Sequence, residues 1–154
     1  MGGPILEARF AGMGAGWKTP PFVPAILEWH GYEPDLYVCD RQQRLAVMTV
    51  DSDRRVHPVV QADMGHLPFR DRSFRCGFYD PPYDVPYKHA VNELLRVCRE
   101  KAAILHIRDI APGYGWGRAR EPNGWKRYAS ILLLCGNDSL VRCLNLFVRD
   151  EGDG

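Results

Sequence analysis

The chain has 154 residues, a quarter of them charged, and a formal net charge of +1. That length fits a single domain with a real core. The balanced charge gives no global reason for a polyanionic partner, so any nucleic-acid contact has to come from a local patch. No apolar stretch approaches the length of a membrane span. The opening MGGPILEARF has neither the basic start nor the long apolar run of a signal peptide. The expectation is one domain over residues 1–150, a frayed tail at 151–154, an intracellular (cytoplasmic) setting and no membrane partner. The five cysteines, at 39, 76, 98, 135 and 143, are odd in number and show no CxxC spacing. They read as free buried thiols rather than a disulfide framework or zinc site. The five histidines are scattered, so no metal is expected.

Taken in chain order, residues 4–10 (PILEARF) read as a strand, followed by the glycine-rich AGMGAG. Residues 24–31 (PAILEWHG) read as a short helix, with Pro24 in the first turn and Gly31 as the stop. Residues 35–40 (DLYVCD) read as a buried strand, 41–50 as a helix, 57–63 as a strand and 74–80 (FRCGFYD) as another. Residues 87–100 form the best helical pattern, with Ala90, Leu94 and Val97 beside Val91, Leu95 and Cys98 at three-to-four spacing. A strand follows at 102–109, then a glycine- and aromatic-rich loop over 111–130. SILLLC and LVRCLNLFV around GNDS read as a closing hairpin. Strands alternating with helices predict an α/β fold with a largely parallel sheet and an antiparallel C-terminal hairpin.

In such sheets ligands sit beyond the carboxyl ends of the strands. The residues there are Gly12 and Gly14, then Asp40, Asp63 and Asp80. Glycines let a backbone approach a ligand closely. Asp40 suits the two hydroxyls of a ribose, or equally the N-cap of a helix starting at 41. Asp63 taken alone is a turn or cap residue.

The sharpest signal is Asp80-Pro81-Pro82-Tyr83 at the end of a strand. Two prolines fix two φ angles and remove two donors, and the residue before them is pushed away from helix. The apolar run therefore ends in a rigid turn with a carboxylate at its tip. This DPPY resembles the D/N-P-P-Y/F/W motif of S-adenosylmethionine-dependent amino-methyltransferases. FAGMGAG resembles the glycine motif of that family, and QADMGHLPF its adenine-binding segment. The resemblance covers roughly residues 4–110. It implies a Rossmann-like class I methyltransferase fold with S-adenosyl-L-methionine as cofactor. It places the cofactor on Phe10, Ala11, Gly12, Gly14, Asp40, Asp63 and Met64, and catalysis on Asp80, Pro81, Pro82 and Tyr83.

Under that resemblance, Asp80 and the Pro81 carbonyl accept the two N–H bonds of an exocyclic amine. Tyr83 stacks on a base that has left its helix. Adenine N6 in DNA is the leading target, with adenine N6 or guanine N2 in RNA next. A non-catalytic or partner-dependent subunit, or a homodimer, is the alternative, followed by a protein amide or a small molecule. A virus-encoded enzyme of this compact kind fits as well as a cellular one. The chain departs from the family pattern in carrying Ala8 where an acid is usual, and Arg75 where relatives often read SFD. The loop GYGWGRAREPNGWKRYA interleaves aromatics with cations. It offers Trp116, Arg118, Arg120, Trp125, Lys126 and Arg127 for stacking on bases and contacting phosphates. The same loop could equally be an ordinary surface loop packed on the core, or a lid.

Overall fold

The structure, a computed structural model, describes residues 22–39, 47–80, 87–107, 124–134 and 141–150. Helix α1 (Val23–Trp29) begins after Phe22 with a proline in its first turn. It ends as the sequence predicts. Gly31 adopts φ +77°, its N–H reaches the Glu28 carbonyl at 3.0 Å and the Tyr32 N–H reaches Leu27 at 2.8 Å. This is a Schellman closure, and a positive φ there favours glycine.

Seven strands then follow among the described residues: β1 (Leu36–Val38), β2 (Met48–Asp51), β3 (Val60–Gln61), β4 (Phe74–Tyr79), β5 (Cys98–Ile107), β6 (Trp125–Leu134) and β7 (Val141–Arg149). Helix α2 (Tyr87–Val97) lies between β4 and β5. They form one sheet in the order β3-β2-β1-β4-β5-β7-β6. The first five pair in parallel, and β7 runs antiparallel to both β5 and β6. The expected α/β class, mostly parallel with an antiparallel C-terminal pair, is what the chain adopts.

Side chains alternate across the sheet and build a core on each face. Leu36, Val38, Val50 and Tyr79 join Val91, Leu94 and Cys98 on the α2 side. Tyr37, Phe78, Ala103 and Leu144 join Val23 and Leu27 on the α1 side. Tyr32 ties α1 to the sheet, its hydroxyl donating to the Phe147 carbonyl at 2.9 Å. The Asp35 carboxylate accepts from the Arg75 and Cys76 N–H groups at 3.1 and 3.0 Å. It thereby satisfies backbone donors where the β4 register shifts between Phe74 and Cys76. Cys39, Cys76, Cys98 and Cys143 are buried and in no disulfide, as expected, and burial pushes the Cys76 thiol up to about 12. Cys135 lies outside the described residues.

Four local expectations are corrected. The predicted helix at 41–50 gives way to β2 from Met48 onward, because Met48, Thr49 and Val50 pair with Leu36, Tyr37 and Val38. Pairing to a buried neighbour overrides local helical pattern; residues 41–46 lie outside the described set. The strand at 57–63 shrinks to Val60–Gln61, preceded by a single 3-10 turn at Arg54–Val56 and a left-handed His57. The helix at 87–100 ends at Val97, since Cys98 already pairs with Phe74. The loop predicted to 130 is strand from Trp125 onward.

Gly77 marks where α2 meets the sheet most closely. A Cβ on it would stand 2.5 Å from Cys98 Sγ and 2.8 Å from Leu94 Cδ1. Gly77→Ala is therefore predicted to destabilise the protein by about 1–3 kcal/mol through overpacking. Urea denaturation of the variant beside the parent measures it, and an unchanged midpoint would contradict the packing described.

Candidate active site

Strand order reverses between β1 and β4: from β1 the sheet grows one way through β2 and β3, and the other way through β4 and β5. A crevice at the carboxyl end of such a switch point is where open α/β sheets bind ligands. The strand beside β4 is Leu36–Val38. Residues 35–40, the second strand in chain order as read from the sequence, hold the position between β2 and β4 as Leu36–Val38. The next strand out is β2, which ends in Asp51.

Four strand ends converge here. After β1, Cys39 turns into the left-handed region at φ +60° while its N–H holds the Val50 carbonyl at 2.8 Å. Glycine is the usual residue for such a turn. After β2, Asp51 is buried at 3% exposure, and its Oδ1 accepts the Asp53 N–H at 2.8 Å. Just past β3, Asp63 begins a turn in which its Oδ1 accepts the Gly65 N–H at 2.8 Å. That bond, with a smaller contribution from His66, lowers the Asp63 carboxyl below its ordinary value. After β4, Asp80 is fully buried, and its N–H donates to the Val38 carbonyl at 3.1 Å.

Tyr79 and Met64 join these ends. The Tyr79 hydroxyl lies 3.0 Å from the Met64 sulfur, and the Cys39 thiol lies 3.2 Å from the same sulfur. Burial pushes the Tyr79 phenol well above its usual range, and Cys39, Asp80, Asp63 and Asp51 raise it further. One buried ring thus senses a charge or thiol from every one of the four strand ends. Three acids gathered at one crevice make a surface rich in acceptors, suited to a ligand rich in donors or positive charge.

The turn carrying Asp63 and Met64 is held from α2. Arg96 donates to the Phe69 carbonyl at 2.8 Å, the Leu67 carbonyl at 3.0 Å and the Asp71 carboxylate at 2.9 Å, and pairs with Glu93. Glu93 in turn accepts the Leu67 N–H at 3.1 Å. The segment LPFRDRS is thereby strapped to the helix that follows DPPY.

Of the residues singled out from sequence, the structure brings Asp63, Met64 and Asp80 together. Phe10, Ala11, Gly12, Gly14, Asp40, Pro81, Pro82, Tyr83, Trp116, Arg118 and Arg120 lie outside the described residues. Trp125, Lys126 and Arg127 are placed elsewhere. Lys126 pairs with Val148, which pairs with Lys101, which pairs with Cys76. Lys126 is therefore level with the amino end of β4, four residues short of Asp80, or about 13 Å at 3.3 Å per residue. Trp125 is buried in the core with the Arg149 guanidinium 4.5 Å over its ring, and Arg127 covers Phe147 at 5.4 Å. These three lie in β6 rather than in a loop, toward the end of the sheet opposite the crevice. A basic, aromatic stretch looks alike in a loop and in an amphipathic edge strand.

The residue that sequence reasoning passed over is Asp51. Its signal is present in MTVDSD, an alternating apolar run closed by an acid, but the helical reading of 41–50 stops just short of it. Among the described residues, no three of His, Cys, Asp and Glu come together as a metal ion would need. No described helix is long and apolar enough to cross a membrane.

No protein-family model and no curated protein matches the chain. Solved structures do. One is a Burkholderia thailandensis 1,6-didemethyltoxoflavin-N1-methyltransferase with its substrate and S-adenosylhomocysteine bound. It matches at 14% identity and a TM-score of 0.56, over 82% of this chain and 76% of that one. A SAM-dependent methyltransferase from Methanosarcina mazei matches at 11% identity and TM-score 0.53, over 86% and 99%. Another from Aquifex aeolicus matches at 12% identity and 0.51, over 81% and 88%. At these identities the likeness is one of fold: the chain has the Rossmann-like fold of S-adenosylmethionine-dependent methyltransferases.

Arg96→Met is predicted to release the Leu67 and Phe69 carbonyls, at a cost of about 1–3 kcal/mol. Hydrogen exchange at Gly65, His66 and Leu67 should quicken more than exchange in β4. Uniform quickening, or none, would contradict the strap.

Proposed function

We propose that this chain is an S-adenosylmethionine-dependent N-methyltransferase acting on the exocyclic amino group of a nucleic-acid base, with adenine N6 in DNA first. RNA adenine N6 or guanine N2 is the nearest variant. The observation that carries the reading is Asp80, a fully buried carboxylate at the switch point, heading DPPY beside the ends of β1 and β2. The fold shared with the methyltransferases above supports it.

The residues present suit the cofactor. Its ribose hydroxyls and adenine amino group are donors, and its sulfonium is cationic; the crevice answers with Asp51, Asp63 and Asp80. Asp51, at the end of the strand next to the central one, stands where an acid accepts ribose hydroxyls in dinucleotide folds. That role passes to Asp51 from Asp40. Asp63 and Met64, one strand further out, fit the adenine. When bound, the cofactor supplies an electrophilic methyl group on sulfur.

The acceptor poses the harder problem. The lone pair of an aromatic amine is conjugated into its ring and is weakly nucleophilic. A buried carboxylate accepting one N–H pushes electron density back onto nitrogen, and the low-polarity surroundings strengthen that effect. The Pro81 carbonyl follows in the chain as the acceptor for the second N–H, and Tyr83 as a stacking surface. Asp80 is also the candidate acceptor for the proton that the nitrogen loses once methylated. Two adjacent prolines in the sequence fix two φ angles, which reduces the ordering left to do when substrate arrives.

A second reading is a small heteroaromatic substrate carrying the same kind of nitrogen. The placement of Trp125, Lys126 and Arg127 away from the crevice favours it, and so does the 1,6-didemethyltoxoflavin bound to the Burkholderia protein of similar fold.

Transfer of a labelled methyl group into unmethylated DNA, total RNA and a pool of free nucleobases tests these readings together. Label in DNA as N6-methyladenine is expected, and label confined to free bases would replace the first reading by the second. Asp80→Ala should reduce transfer by about a thousandfold or more, yet keep the thermal stabilisation given by S-adenosylhomocysteine. Asp51→Asn should weaken S-adenosylhomocysteine by about tenfold, as loss of a charge-assisted hydrogen bond does. Full activity in either variant would contradict its assigned role.

A further inference from the structure

The sheet ends on one side in β6, which among the described residues pairs with β7 and with no other strand. It is ten residues long. Long edge strands carry a row of backbone donors and acceptors and are normally blunted by charge, proline or a bulge. Here the protection is confined to one half. Lys126 and Arg127 stand in the first half, and the register shifts between Arg127 and Ala129. Residues 130–134 (SILLL) have no charge, no proline and no register shift.

Exposed apolar surface gathers at the same edge. Four large hydrophobic residues are exposed among those described: Trp29 at 86%, Val59 at 62%, Leu132 at 62% and Tyr128 at 55%. Three of the four lie on or beside β6. Leu132 and Tyr128 are in the strand. Trp29 ends α1 next to His30, whose ring meets Tyr128 edge-on at 5.8 Å. Isolated exposed hydrophobics need no explanation; here Leu132, on the face of β6 that carries Ser130, and Tyr128, on the α1 face, flank the open edge from both sides of the sheet.

We infer that β6 pairs antiparallel with β6 of a second copy of this chain, about a two-fold axis at Leu132. In that register Leu132 faces Leu132 of the second copy, Ile131 faces Leu133 and Ser130 faces Leu134. The contact is self-complementary, as a closed dimer requires. The charge distribution selects this arrangement. Antiparallel pairing keeps the Lys126 and Arg127 of each copy at opposite ends of the ribbon. Parallel pairing would set them against their own counterparts, and like charges directly opposed are destabilising. The neutral half offers no side chain to select a foreign charged strand. Five residue pairs bury less than the roughly 800 Å² per partner of a stable complex. Tyr128 and Trp29 supply apolar surface beside the pairing to enlarge it. The inference stands independently of the methyl-transfer reading.

Sedimentation velocity of the full chain, from low to high micromolar concentration, tests it with two variants. The parent is expected to show a concentration-dependent monomer–dimer equilibrium. Leu132→Lys should weaken association by about tenfold or more. Because Leu132 is exposed, that variant should unfold at the parent's temperature at concentrations where both are monomeric. Leu132→Cys in a Cys135→Ser background should form a disulfide-linked dimer on mild oxidation, since Cα atoms directly opposed in an antiparallel pair are about 4.5–5.5 Å apart. A parent that stays monomeric overturns the inference. So does a dimer that Leu132→Lys leaves intact, or one in which the 132 thiols fail to cross-link.

Discussion

Three residues hold the architecture together. Leu36, Tyr37 and Val38 pair in parallel with Met48, Thr49 and Val50 on one side and with Gly77, Phe78 and Tyr79 on the other. All three are buried. Because side chains alternate, this short strand feeds both cores at once, Leu36 and Val38 into one and Tyr37 into the other. Slipping its register by one residue would exchange the two sets and disrupt both faces. Fixing it also fixes which strand ends meet. Cys39 follows it directly, the Val50 carbonyl binds Cys39, and the Val38 carbonyl binds Asp80. The crevice is a by-product of pairing in the middle of the sheet.

Electrostatically the crevice is held in an uneven balance. Asp51 and Asp80 are buried, whereas Asp63 is exposed and turned into its own loop by Gly65. The Gly65 N–H holds the Asp63 carboxyl below its ordinary value. Acceptors at three strand ends favour a ligand that brings donors or positive charge. Tyr79, pinned between Met64 and the acids, transmits the geometry of one strand end to the next. On the opposite side, the Arg96 strap keeps the Asp63 turn from drifting away from β4.

The fold class was legible because α/β alternation and the closing hairpin are patterns of several elements, and a slip in one leaves the rest standing. The end of β4 just before Asp80 was legible because a following Pro-Pro acts locally on the chain before it. The place of Leu36–Val38 in the sheet was not legible, because it is set by pairing with distant strands on both sides. Asp51 was missed for the same reason, since Met48 to Asp51 adopts strand by pairing with Leu36 to Val38, not by its own preference. Trp125 shows the converse. An aromatic beside two cations reads as a nucleic-acid contact, and only the register of β6 on β7 reveals that it packs under Arg149.

The proposed ligand site lies at the ends of β1 to β4, and the amino end of the sheet takes no part in it. Titrating the isotope-labelled protein with S-adenosylhomocysteine and following backbone amide resonances tests it directly. The account predicts saturable shifts at Cys39, Asp51, Asp53, Met64, Gly65 and Asp80, with Trp125, Lys126 and Arg127 unmoved. Shifts centred on Trp125 to Arg127, or no saturable shift anywhere, would contradict it.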